Sequence, residues 1–298
     1  MTSTGSNRPV VLGVDALAPG ATPVVWAADE ADRRGRPLRL VHALPPTSQD
    51  ARVFGAERYR EELRERGRHA LEEAADAARR RHPDLSVTTA VAADIAAPAL
   101  CRESAHAALV VLGSRRLNRL EEVLSASSVA VPVSAQAHCP VVVVLAPEPG
   151  AGEEPAEPAE PYVVVGVDGS PSSAAAVDFA LDFAARRGAA LRAVRVRRSR
   201  LTARVDEDAA VDDLRRLLDE ATAGLPAGYP AVTVTHGVLR GHPVEELAKV
   251  AEHALGVVVG RRGRGGFTGM RLGSVPHGLL HRAHCPVVTV PVPPAGGD

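Results

Sequence analysis

Short runs of valine and leucine, each followed by a helix-like segment, recur along this chain, and the whole series occurs twice. The first copy runs Val10 to Val14, Leu38 to Leu44, Ser86 to Val91, Leu109 to Leu112 and Pro140 to Leu145. The second runs Val163 to Val167, Leu191 to Val196, Val232 to Val238, Val257 to Val259 and Val287 to Val290. The endings match almost letter for letter: Ala137-His138-Cys139-Pro140-Val141-Val142 returns as Ala283-His284-Cys285-Pro286-Val287-Val288. Runs that are apolar at nearly every position belong to strands buried on both faces, and alternation with helices makes the sheet parallel. The fold class is therefore α/β, with two tandem doubly wound domains. Each is a five-stranded, mostly parallel sheet with helices on both faces.

The segments between the strands support this reading. Glu57 to Arg81 is a charged, alanine-rich helix with Leu63, Ala70, Leu71, Ala74 and Ala78 on its apolar side. Thr22 is placed to cap a helix with Pro23 in its first turn, and Ser170 with Pro171 opens another over Ser172 to Gly188. Further helices are expected over Pro98 to Ala107, Glu207 to Ala223, Pro243 to His253 and Val275 to Ala283. Ser125 to Ala137 reads as a helix broken by Pro132. Ala146 to Pro161, rich in proline, glutamate and alanine, has no apolar period and reads as an extended linker. The domains are placed at 8–146 and 162–293, with the linker at 147–161.

Several function classes recede on composition. The 298 residues carry a formal net charge of −1, so no nucleic-acid footprint is expected. Lys249 is the only lysine, and it stands neither after a phosphate-loop glycine nor in a setting for Schiff-base chemistry. The three cysteines, Cys101, Cys139 and Cys285, are unclustered, as reduced thiols filling small buried spaces would be. The N-terminus has no leader-like apolar run, and no stretch is long and apolar enough to span a membrane. A cytoplasmic protein without membrane contact is expected.

Chemistry concentrates in Val257 to Ser274, VVVGRRGRGGFTGMRLGS. A buried strand runs into a glycine-rich loop that closes just before a helix. Glycines let the backbone approach an anion, and helix-start N–H groups point at it. Arg261, Arg262, Arg264 and Arg271 add positive charge. In a doubly wound sheet this loop and the first-strand aspartate, Asp168, meet over the crevice at the carboxyl ends of the strands. Asp168 is either a strand-end turn residue or a ligand contact, and the facing loop favours the second. His277, His281 and His284 raise a metal site, but no converging acid supports one, so none is assigned. No Ser-His-Asp set or carboxylate pair accompanies the loop, so no catalytic residue is assigned.

Both halves resemble the universal stress protein family in its tandem form. Its nucleotide motif is glycine, two residues, glycine, nine residues, glycine, then serine or threonine, which Gly260, Gly263, Gly273 and Ser274 match. The resemblance implies ATP as ligand, with Mg as the nucleotide's counter-ion where one is carried. It implies that Asp168 contacts the adenine or ribose side and that Val196 lines the adenine pocket. It implies that Gly260, Arg261 and Gly263 cradle phosphates through backbone N–H groups. Gly273, Ser274 and Val275 would close over them, the Ser274 hydroxyl donating. Pairing of the two domains through their last strands is also implied, leaving room for a homodimer.

Pro276 departs from the pattern where a second hydroxyl residue is common, and the first half departs further. Gly113 remains, but Arg116 and Ala126 replace the second and third glycines, Ser127 is matched to Ser274, and Asp94 stands near the place of Gly241. Glu121 and Glu122 would repel phosphate. The expectation is a regulatory, stress-response binding module that takes ATP in its second domain and meets an unidentified protein partner. A weak ATPase and a nucleotide-independent interaction module stand as the alternatives.

Overall fold

The computed structural model describes residues 8–16, 20–44, 56–114, 129–145, 160–197, 212, 216, 231–263 and 271–292. The chain divides into two compact units, Met1–Glu148 and Pro149–Asp298. Most of the linker, and the helix expected over Glu207 to Ala223 apart from residues 212 and 216, lie outside the described residues.

Unit 1 contains strands β1 (Val10–Gly13), β2 (Leu38–Ala43), β3 (Val87–Ala92), β4 (Leu109–Ser114) and β5 (Val141–Leu145). Its helices are α1 (Ala21–Arg33), α2 (Ala56–Arg81), α3 (Ala96–Ser104) and α4 (Ala130–Gln136). The strands lie in the order β3-β2-β1-β4-β5, and every pairing is parallel. Unit 2 repeats this with β6 (Tyr162–Gly166), β7 (Ala190–Arg197), β8 (Val234–Arg240), β9 (Val257–Gly260) and β10 (Val287–Val290). Its helices are α5 (Pro171–Ala185), α6 (Pro243–Val250) and α7 (Ser274–Arg282). The order is β10-β9-β6-β7-β8, again all parallel. In both units the first strand lies beside the fourth, so chain direction across the sheet reverses there and opens a crevice at the carboxyl edge.

The valine runs explain the layering. Val10, Val11 and Leu12 in β1, and Val163, Val164 and Val165 in β6, are buried along their whole length. Consecutive residues of a strand point to opposite faces, so both faces of each sheet are covered. In unit 2 one face packs Val164, Val194, Val257 and Val259 against Val244 and Leu247 of α6 and Leu279 of α7. Gly278 lets α7 come close, because a Cβ there would stand 2.5 Å from Val244 Cγ2. Among the described residues no helix is long and apolar enough to cross a membrane.

Two local expectations change. Helix α1 begins at Ala21 with Gly20 as N-cap and no side-chain cap, so Thr22 lies inside the first turn rather than capping it. Pro132 does not break α4. It is the third residue of the helix, where its missing N–H has no intrahelical acceptor to lose. The part of that expected helix before residue 129 lies outside the described residues. After α1 and α5, Gly35 (φ 58°) and Gly188 (φ 59°) turn the chain in the left-handed region, which glycine enters without steric penalty.

Candidate functional site

The unit 2 crevice is built from the carboxyl ends of β6 and β9, which are hydrogen-bonded neighbours with Gly166 opposite Val259. Helix α5 follows β6 after a short turn. Ser170 caps it, its Oγ accepting the Ser173 N–H at 3.1 Å, and Pro171 occupies the first turn. This brings the start of α5 directly against the end of β9. A Cβ on Gly260 would stand 2.6 Å from the Ser172 carbonyl carbon and 2.7 Å from its oxygen. The Ser172 backbone and its Oγ, also at 2.7 Å, together fill that space. Gly260 is therefore required by packing against α5, independently of any ligand.

Two serines at the start of α5, the cap Ser170 and Ser172, fasten the loop after β9. The buried Ser172 Oγ donates to the Val290 carbonyl at 3.2 Å and accepts the Arg262 N–H at 3.4 Å. Ser170 Oγ donates to the Arg262 carbonyl at 3.3 Å. The Arg261 N–H also donates to the Val290 carbonyl, at 2.8 Å. This differs from the expected cradle, in which the Arg261 N–H points at phosphate, because that N–H continues the β9–β10 ladder. What Arg261 presents is its half-buried guanidinium, whose pKa is lowered by burial and then by neighbouring Arg262.

Asp168 lies where expected, beyond the end of β6. Its Oδ1 accepts the Ser170 N–H at 2.9 Å, so it does serve the strand-end turn. It also meets the loop: a Cβ on Gly263 would stand 2.5 Å from Asp168 Oδ2. The strand-end carboxylate and the second motif glycine are in direct contact.

Gly273 is the N-cap of α7, and its own N–H donates to the Arg261 carbonyl at 2.9 Å. The loop is thus closed across its base, and Ser274 begins the helix. The first intrahelical bond runs from the His277 N–H to the Gly273 carbonyl. The N–H groups of Ser274 and Val275 therefore have no acceptor within their own helix, and Pro276 has no N–H to offer. Ser274 is exposed, while Val275 and Val196 are both partly buried against the same apolar cluster. Arg264 to Met270 of the loop lie outside the described residues. The structure thus brings Asp168, Gly260, Arg261, Gly263, Gly273, Ser274 and Val275 to one end of unit 2. Val196 lies two strands from β9, at the end of β7.

The sequence reading missed Ser170 and Ser172. The Ser-Pro helix start is the available signal, but by itself it shows only a cap.

Unit 1 has the same topology with different fittings. A Cβ on Gly113 would meet the Pro23 ring, 2.7 Å from Cγ and 3.4 Å from Cβ, and the N-cap of α1 makes no side-chain bond. Asp94, opposite Gly241 in the repeat, pairs with Arg102 and accepts the Ile95 N–H at 2.6 Å. The Arg102 hydrogen bond, followed by that N–H, holds the Asp94 carboxyl below its usual range. Val133 and Leu279, both fully buried, accept the N–H groups of Ala137 and Ala283 at 2.8 and 2.9 Å. Ser127, matched to Ser274 in the sequence, lies outside the described residues. Residues 115–128, including Arg116, Glu121, Glu122 and Ala126, lie outside the described residues.

The His277 and His281 rings lie 4.9 Å apart, and burial followed by His281 lowers the His277 pKa. Among the described residues no group of three or more His, Cys, Asp or Glu side chains is arranged to hold a metal. Cys139 and Cys285 are buried and Cys101 is half-buried, and none of the three is in a disulfide; burial pushes the Cys139 pKa up to about 12.

The two units are doubly wound α/β domains with a crevice at the switch point, and the second has a glycine loop facing a strand-end aspartate. The chain belongs to the universal stress protein family, which it matches over residues 6–144 and again over 162–291. It is 33% identical to a universal stress protein of Mycobacterium tuberculosis, with 98% of each chain covered. It is 35% identical to one from Mycolicibacterium smegmatis, covering 97% of this chain and 99% of the relative. The fold is similar to the crystal structure of a universal stress protein from Archaeoglobus fulgidus, with a TM-score of 0.69 and 17% identity over 95% of this chain and 97% of that one.

Proposed function

We propose that this protein is a tandem universal stress protein whose second unit binds ATP as a regulatory signal in a stress response. The observation that carries the reading is the contact between Asp168 and Gly263 at the switch point, beside the first turn of α7. It places a carboxylate suited to ribose or adenine hydroxyl and amine donors next to backbone suited to phosphate. The residues fit the ligand. Gly263, having no side chain, lets the Asp168 carboxylate lie against the loop backbone, the Ser274 and Val275 N–H groups begin a helix, and Arg261 and Arg262 supply cationic charge. Val196 offers an apolar edge for a base. Magnesium would enter as the nucleotide's counter-ion. The chain's own part is to bind and orient: Asp168 holds the sugar end, and the α7 start with the Ser274 hydroxyl holds the phosphates.

The test is calorimetric titration of the full chain with ATP, repeated on Ser274→Ala and Asp168→Ala. Saturable binding at one site per chain, weakened by both substitutions, supports the reading. Absence of binding, or binding indifferent to both, overturns it.

A further inference from the structure

We infer that Ser172 is a positioning residue that sets how the unit 2 loop is presented to the phosphate end of the nucleotide; this rests on the ATP reading above. Ser172 is buried, at 3% exposure, in the first turn of α5, and it touches three separate pieces of the site. Its backbone lies against Gly260, its Oγ donates to the Val290 carbonyl at the end of β10, and the same Oγ accepts the Arg262 N–H. The hydroxyl spends both roles of its inventory on this junction, one proton donated and one lone pair used.

The consequence runs along the loop. Arg262 is held by Ser172 at its N–H and by Ser170 at its carbonyl. Arg261, one residue earlier, gives its N–H to Val290 and receives the Gly273 N–H on its carbonyl. Gly273 is the N-cap of α7, so a continuous chain of bonds leads from the Ser172 hydroxyl to the helix start that carries Ser274 and Val275. Asp168 is oriented by a different donor, the Ser170 N–H. Losing the Ser172 hydroxyl therefore loosens the phosphate side of the crevice and leaves the Asp168 side in place. The first half differs in sequence at these positions. With Asp15 set against Asp168 and Gly35 against Gly188, Pro19 falls opposite Ser172 and Leu17 opposite Ser170.

The experiment compares full-length wild type with Ser172→Ala in titrations against ATP and against adenosine, which lacks phosphate. Loss of one loop-orienting hydrogen bond should weaken ATP about tenfold while adenosine affinity stays within about twofold. Equal ATP affinity in the two proteins overturns the proposal. So does equal loss for both ligands, which marks Ser172 as structural only. Failure of the wild type to bind ATP overturns the nucleotide reading itself and this proposal with it. If Ser172→Ala does not fold, Ser172→Cys keeps the volume with a weaker donor, and the same split between the two ligands decides.

Discussion

Asp168 and Gly263 touch: a Cβ at position 263 would stand 2.5 Å from the Asp168 carboxylate oxygen, well inside van der Waals contact. The two residues follow different strands, Asp168 after β6 and Gly263 after β9, yet neither can change size without the other responding. Gly263→Ala should destabilise unit 2 by about 1–3 kcal/mol, as an inserted methyl does in a packed site. Asp168→Ala removes the carboxylate that the methyl meets, along with the acceptor for the Ser170 N–H. The double variant should therefore be more stable than the sum of the single effects by more than about 0.5 kcal/mol. Urea unfolding of the four proteins checks this; strict additivity would contradict the contact.

Gly260 and its repeat partner Gly113 look alike in sequence but face different neighbours. At Gly260 a Cβ meets the backbone of Ser172, which is fixed by the α5 cap and by two hydrogen bonds. At Gly113 it meets the Cγ of Pro23, the outer edge of a ring that can pucker away. Gly260→Ala should lower stability by about 3 kcal/mol, the upper end for overpacking, and Gly113→Ala by about 1 kcal/mol or less. Separate thermal unfolding curves would reveal the order, and equal effects would refute it.

The sheet was legible in the sequence because continuous valine runs admit few other arrangements, and the two matching endings fixed the repeat. The motif glycines were legible as a spacing, but the reason for Gly260 was not. Its neighbour Ser172 lies across the fold, and the bonds from Ser172 to Arg262 and Val290 span 90 and 118 residues. Nothing in a local window announces such partners. The placement of Pro132 was misread because a proline inside an apolar helix pattern looks like a break until the helix start is known.

Side-chain partners were illegible for a related reason: apolar periodicity reports burial, not what fills it. Arg34 of unit 1 pairs with Glu30, which is fully buried, whereas its repeat partner Arg187 lies 3.6 Å over the ring of Phe183. The exchange recurs at a second pair. Arg39 makes a bidentate pair with Glu103 at 2.8 and 3.0 Å, and its partner Arg192 lies 3.6 Å over Tyr162, whose hydroxyl donates to the Val250 carbonyl. Unit 1 thus neutralises with carboxylates the arginines that unit 2 covers with aromatic rings.

Removing the buried carboxylate should therefore be severe. Glu30→Ala removes the buried carboxylate paired with the Arg34 guanidinium and is expected to cost unit 1 about 3–5 kcal/mol. Phe183→Ala should cost unit 2 a similar amount, about 3–5 kcal/mol, through cavity formation instead. The mechanisms separate chemically. Glu30→Ala combined with Arg34→Met should recover much of the loss, because the charge that Glu30 neutralised is gone. Phe183→Ala with Arg187→Met should not, because the cavity remains. Urea midpoints of the four variants test this, and recovery in both units or in neither would refute the assignment.

The same carboxylate dependence predicts an acid limit for unit 1. Burial alone would raise the Asp29 pKa, but hydrogen bonds from Arg81 and His82, with the charges of Arg81 and Arg33, outweigh it and hold the carboxyl below 3.8. A group whose folded pKa is depressed contributes stability that is fully present above its unfolded pKa and disappears as pH falls through the folded value. At pH 7 Asp29 should therefore stabilise the contact between α1 and the end of α2, where Arg81 Nη2 donates to Asp29 Oδ2 at 2.9 Å and His82 Nε2 lies 2.7 Å from Oδ1. Below about pH 4 that contribution should fade. Asp29→Asn should be less stable than wild type at pH 7, and the gap should close as the pH is taken below 3. Urea unfolding at several pH values measures the gap directly. A difference that stays constant from pH 7 to below 3 would show that Asp29 contributes through packing and not through its charge.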